Sequence, residues 1–249
     1  MPSINEGPFI VSAVLARDRV PSFAQYPFAL PAIRNFSSLQ LHPKCTFFVG
    51  ENGTGKSTLL EAIALNCDLN AEGGSRNFNF ATRESHSPLE RYLKLVKTIS
   101  WPKDCYFLRA ESLYNLASEI DRIAADDDKI LLGYGGRSLH EQSHGESFFA
   151  LFDNRLRGRG LYIMDEPEAA LSPNRQMQSL NLLHNYCGNG SQFIIATHSP
   201  IIMAYPDAWI YEFGPEGIRR VEYEKTEHYQ VTRSFLNHTE RMLKVLMDG

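Results

Sequence analysis

Gly50-Glu51-Asn52-Gly53-Thr54-Gly55-Lys56-Ser57-Thr58 is a complete G-x-x-x-x-G-K-S loop, and its residue types suit a polyphosphate. Its glycines let the backbone curl so that successive N–H groups point inward at phosphate oxygens. Lys56 is long enough to reach the β and γ phosphates, and the Ser57 hydroxyl is a ligand for Mg²⁺. A second centre is Asp165-Glu166, two adjacent carboxylates after the apolar run Gly160-Leu161-Tyr162-Ile163-Met164. Asp165 is placed to join the Mg²⁺ shell and Glu166 to polarise a water attacking the γ-phosphate, although such a pair also occurs at plain turns. A third is Thr197-His198 at the exit of Ser191-Gln192-Phe193-Ile194-Ile195-Ala196, where a histidine on its own is more often structural. The chemistry to expect is nucleoside triphosphate binding and hydrolysis.

Each centre needs an element behind it. Lys44–Val49 is apolar enough for a buried strand, and Leu59–Leu65 continues the loop as a helix, which puts phosphates at a positive N-terminal end. The runs ending at Asp165 and Ala196 read as two more buried strands. Phe9–Leu15 and Leu39–Leu41 read as further strands, 173–186 and 229–247 as helices, and Leu89–Val96 and Leu113–Ile123 carry helical spacing. The segment Phe23–Phe28 is aromatic and broken by Pro27.

GENGTGKST, SHGES (143–147), YIMDEPEAALSP and IIATHSP, in that order, resemble the ABC-type ATPases, on their SMC/RecF-like, non-transporter side. Within these the chain is most similar to small stand-alone ATPases in which GGSRNFNFATRESHS, FLRAES and GRSLHEQSHGES also recur, so the resemblance spans nearly all of it. It implies a single α/β P-loop domain over 1–249: a mainly parallel sheet flanked by helices, an antiparallel subsheet, and a helical lobe at about 84–145. It implies ATP and Mg²⁺ as cofactors, with Ser57 and Asp165 on the metal, and Glu166, Lys56 and His198 as the catalytic group, His198 sensing the γ-phosphate. It further implies an ATP-dependent homodimer in which Ser143 and Gly145 of one subunit meet the γ-phosphate of the other. Tyr26 or Phe28 would stack on adenine, or else pack into the sheet edge.

Departures from the pattern are visible. His144 replaces the first glycine of the signature, and no glutamine lies between Gln40 and Gln142, leaving Glu111 or Ser112 for the Q-loop position. Ser172 stands where the family's D-loop has aspartate. Rad50- and SMC-like proteins carry long coiled coils between loop and signature, whereas the interval from Lys56 to Ser143 is short and lacks sustained heptads.

His140-Glu141-Gln142-Ser143-His144 is a literal H-E-x-x-H, and a zinc protease would need both histidines on one face of a continuous helix. Gly135-Gly136 before it and Gly145 immediately after it argue for a loop feeding a helix. With 249 residues, net charge −4 and 22% charged residues, the chain has ordinary globular composition and no global basic signal for nucleic acid. Cys45, Cys67, Cys105 and Cys187 are scattered without a C-x-x-C pair, as reduced thiols of a cytoplasmic protein would be. No run is long and apolar enough for direct membrane insertion. The expected function is an ATP-driven switch in nucleic-acid maintenance or defence, acting on an unknown protein or nucleic-acid partner. The alternative is the ATP-binding subunit of a transporter, which the missing glutamine disfavours.

Overall fold

The computed structural model describes residues 8–75, 87–111, 113–126, 128–142 and 144–248. Its strands are β1 (Ile10–Leu15), β2 (Ser38–Gln40), β3 (Cys45–Val49), β4 (Leu93–Lys97), β5 (Asp104–Arg109), β6 (Gly160–Asp165), β7 (Gln192–Ala196), β8 (Ala208–Gly214) and β9 (Gly217–Val221). Its α-helices are α1 (Pro31–Arg34), α2 (Lys56–Leu65), α3 (Leu113–Ala124), α4 (His144–Ala150), α5 (Pro173–Gly188), α6 (Glu227–Asn237) and α7 (Thr239–Asp248).

Six strands form one sheet in the order β5-β6-β7-β3-β8-β9, parallel throughout except for the β8–β9 hairpin. Every residue of β3, β6 and β7 is buried, as expected of central parallel strands covered on both faces. Side chains alternate between two cores. Phe48, Ile163 and Ile194 face one with Leu59 and Ile63 of α2, while Phe47, Tyr162 and Phe193 face the other with Leu183 of α5 and Phe148 of α4. Fully burying one such side chain is worth about 1.5–3 kcal/mol, so the sheet is a stiff frame.

The first core is roofed by an antiparallel sheet, β2-β1-β4. Gln192 ties the two sheets together. Its Oε1 accepts from the Phe9 and Ile10 amides at 2.9 and 3.0 Å, and its Nε2 donates to the Ile10 and His42 carbonyls at 2.8 and 3.0 Å. A fully buried glutamine is tolerated here because both ends of its amide are satisfied.

The helical lobe expected at about 84–145 is interrupted. Leu93–Lys97 is strand β4, with Leu93 and Leu95 turned to the core and Lys94 and Val96 exposed, an alternation of period two; β5 lies in the main sheet. Among the described residues of this stretch the first α-helix is α3, after a 3-10 turn at Pro88–Tyr92, and α4 ends in a π-helical turn, Leu151–Arg155. Arg155 anchors that end to the sheet through Asp104 at 3.2 Å. Most of the segment GGSRNFNFATRESHS lies outside the described residues.

Candidate functional site

The carboxyl ends of β3, β6 and β7 converge on one edge of the sheet, the place where open α/β sheets build their sites. The loop of residues 50–55 leaves β3 there. A Cβ at Gly50 would lie 2.3 Å from the Phe213 carbonyl oxygen, so no side chain fits. Gly55 is left-handed, with φ 102°, and turns the chain directly into α2. α2 has no side-chain N-cap, so its first amides are available to an anion.

Lys56 is buried and folds back over its own loop, Nζ donating to the Gly50 carbonyl at 2.7 Å and the Glu51 carbonyl at 3.0 Å. Burial lowers its pKa, against the pull of Glu166 and Asp165. Ser57 Oγ donates to Asp165 Oδ1 at 2.9 Å. A hydroxyl and a carboxylate side by side are hard oxygen donors, the type that suits Mg²⁺. Beside the loop opens a cleft of about 460 Å³ lined by Asn52, Gly53, Thr54, Pro31, Phe213 and Arg219 among others.

Arg109 is the residue that motif reading passed over. β5 and β6 pair in register with Arg109 level with Asp165. Its Nη1 meets Glu61 Oε2 at 3.0 Å and its Nε lies 3.7 Å from Asp165 Oδ2. Burial pushes Asp165 up to about 6, opposed first by Arg109 and then by the Ser57 hydrogen bond. A signal was available in FLRAES, an arginine at the end of a buried strand. Glu111, one of the two Q-loop candidates, is exposed and accepts from Arg109 Nη2 at 3.4 Å. Ser112 lies outside the described residues.

After Asp165 the backbone turns sharply. Glu166 is left-handed, with φ 52° and ψ 50°, an uncommon conformation for a residue with a side chain and one that clusters at functional sites. The turn separates two carboxylates of different kinds. Glu168 is pinned by Thr197 Oγ1 at 2.8 Å and by the His198 amide at 2.5 Å, so it braces the β7 exit. Glu166 is half-exposed and its Oε1 lies 3.5 Å from His198 Nε2. His198 is held below its ordinary pKa by burial and by Lys56. Its Nδ1 lies 3.0 Å from Nε2 of His228, on α6, a neighbour that nothing in the sequence pattern announced.

Other expected residues stand elsewhere. Gly145 is the second residue of α4, in the helical segment, while Ser143 lies outside the described residues. Phe28 is buried edge-on against Phe23 and Tyr92, so it is a core aromatic and not a free stacking face; Tyr26 is exposed, and neither lines the cleft beside the loop. Ser172 caps α5, accepting from the Arg175 amide at 3.4 Å. The H-E-x-x-H run does not form one helix. Leu139–Glu141 is a 3-10 turn, Gln142 is extended, and α4 begins at His144, so the two histidines do not share the helix face a zinc protease requires.

Two family models match the chain, one described as an AAA domain over residues 22–101 and one as an AAA domain, putative AbiEii toxin, Type IV TA system over residues 115–204. The DNA replication and repair protein RecF of Colwellia psychrerythraea is 62% identical over 32 residues, 12% of this chain and 8% of that protein. These matches make the chain similar to AAA-type P-loop ATPases, with a short stretch like RecF. UvrABC system protein A of Paracoccus denitrificans is 33% identical over 63 residues, 25% of this domain's chain and 56% of that protein. The same-named protein of Rhizobium meliloti is 36% identical over 63 residues, which is 6% of its length. The chain thus spans less than two thirds of each of these curated relatives. Among solved structures, the SMC head domain from Thermotoga maritima aligns at TM-score 0.41 and 18% identity, over 75% of this chain and 93% of that one. A nucleotide-free ATP-binding cassette from an ABC transporter aligns at TM-score 0.48 and 16% identity, over 91% and 96%. At such scores the strand order and motif placement of this chain carry more weight than the superpositions. Among the described residues no helix is long and apolar enough to cross a membrane.

Proposed function

We propose that the chain, as one ATPase unit over 1–249, hydrolyses ATP and uses the reaction as a conformational switch. Residues 50–58 cradle the phosphates, with Lys56 neutralising the β and γ groups. Ser57 and Asp165 would hold Mg²⁺, which would neutralise part of the charge of the triphosphate. Glu166 accepts the proton of the water that attacks the γ-phosphorus; ADP leaves with the electron pair of the broken P–O bond. His198 donates a hydrogen bond at the same end of the loop. The observation that supports this reading best is the meeting of Ser57 and Asp165 across 108 positions of sequence, with Glu166 and His198 at 3.5 Å beside them. Two subunits would close head to tail, each presenting Ser143 and Gly145 of its signature segment to the γ-phosphate bound by the other. A role in nucleic-acid maintenance or defence, in the cytoplasm, agrees with the name of the RecF relative and with the toxin–antitoxin description of the second family model.

Glu166→Gln tests the reading. It keeps size and hydrogen bonding but removes the charge that activates water, so hydrolysis falls by about two orders of magnitude. Light scattering with Mg·ATP then shows a lasting dimer for the variant and a minor one for wild type. Wild-type turnover in Glu166→Gln removes the catalytic assignment; a variant that stays monomeric at saturating ATP removes the sandwich.

A further inference from the structure

His228 touches His198 and has no place in the scheme above. Its Nε2 lies 3.0 Å from His198 Nδ1, with the ring centroids 5.1 Å apart and the planes inclined by 55°. Two imidazole nitrogens at that distance share one proton, because two N–H groups or two lone pairs facing each other repel. The far side of His198 decides which ring gives it. There Nε2 is buried, makes no hydrogen bond among the described residues, and faces the Glu166 carboxylate at 3.5 Å. A lone pair in that position would point at an anion, whereas an N–H presents its positive end. Nε2 of His198 therefore carries the proton, Nδ1 is bare, and the proton between the rings belongs to His228. That is also the form in which His198 can donate to a phosphate oxygen.

The end of α6 that carries His228 is held firmly. Thr226, fully buried, caps the helix by accepting from the Tyr229 amide at 3.4 Å, and its hydroxyl donates to the Tyr223 carbonyl at 2.8 Å. Glu212 accepts from the Glu227 amide at 3.1 Å. Tyr223 donates to the Pro200 carbonyl at 2.9 Å, which ties this junction to the segment leaving His198.

We propose that His228 is a positioning residue for the nucleotide site: its Nε2–H donates to His198 Nδ1 and fixes the tautomer in which His198 Nε2–H faces Glu166. Its catalytic consequence rests on the hydrolysis proposed above; the tautomer itself does not. Side-chain ¹⁵N NMR of the histidines in the full chain, without nucleotide, reads the tautomer directly. The expected result is His198 protonated at Nε2 with a hydrogen-bonded Nδ1 in wild type, an Nδ1 signal moved to that of an unbonded lone pair in His228→Leu, and the wild-type pattern restored in His228→Gln, whose amide supplies an N–H. His198 protonated at Nδ1 in wild type, or an Nδ1 signal unchanged in His228→Leu, overturns the proposal. Steady-state ATPase assays form the second arm. His228→Leu is expected to lower kcat by about tenfold or more with ATP affinity unchanged, as for groups that orient a functional histidine, and His228→Gln to stay within about threefold of wild type. A wild-type kcat in His228→Leu overturns it. A wild-type chain that binds ATP without hydrolysing it defeats the catalytic reading alone and leaves the tautomer arm to decide this one.

Discussion

The strand exits and the C-terminal helix pair are built on opposite principles. At the exits of β3, β6 and β7, polar groups are buried and pinned: Ser57 on Asp165, Arg109 between Glu61 and Asp165, Thr197 on Glu168. In α6 and α7 no residue is buried, and Val231, Leu236, Val245, Leu246 and Met247 stand exposed. Substitutions in the first region remove partners from desolvated groups, whereas most of the second has nothing to leave unpaired. Chemistry that depends on sub-ångström placement sits where the frame is rigid, and the helix pair meets it at the first turn of α6, where His228 touches His198.

Lys56→Ala breaks the pinned region most severely. The charge that neutralises the β and γ phosphates disappears, so calorimetry should show ATP affinity lost by about two orders of magnitude or more, with the melting temperature little changed. Arg109→Met attacks the same region through stability. It strands Glu61 and Asp165, both largely buried, without their cation, and denaturant unfolding should report a loss of about 3 kcal/mol. The same variant should bind Mg·ATP more weakly, because Asp165 loses the cation that opposes its burial.

A smaller effect distinguishes the regions by pH. His198 has its pKa lowered by burial and by Lys56, so neutral imidazole is favoured in the fold. Its stabilising contribution is complete above the unfolded value near 6.5 and is lost as pH falls from there toward the lower folded value. His198→Gln cannot charge, so its unfolding free energy relative to wild type should rise as pH falls below 6.5; a difference independent of pH would show that His198 is not held neutral. The least effect is expected in the helix pair. Val245→Ser should change unfolding free energy by no more than about 0.5 kcal/mol and leave ATP affinity untouched, since the side chain is 69% exposed. A loss above 2 kcal/mol would erase the contrast between the two regions.

Much of the site could be read along the chain because its parts are local. The loop of residues 50–58 between an apolar strand and a helix, Asp-Glu after a second strand, and Thr-His after a third all obey spacing rules that hold within a few residues. Their elements appeared where periodicity placed them, within three residues at the ends. Leu93–Lys97 was misread because Leu89, Leu93 and Val96 also fit helical spacing, and only pairing with β1 settled it as a strand. Phe28 could not be told from Tyr26 by type; packing against Phe23 and Tyr92 separated them.

The sequence by itself determined the glycine-rich loop between a strand and a helix, the Asp-Glu pair after a strand and their succession along the chain, because each depends on short-range geometry of the backbone. Tertiary structure alone decided that Arg109 stands level with Asp165, that Gln192 joins two sheets, that Glu168 is a brace while Glu166 is half-exposed beside His198, and that His228 reaches His198. Those pairings follow from sheet register and from how distant segments dock, and a register of period two gives no local sign of which residue will stand beside which.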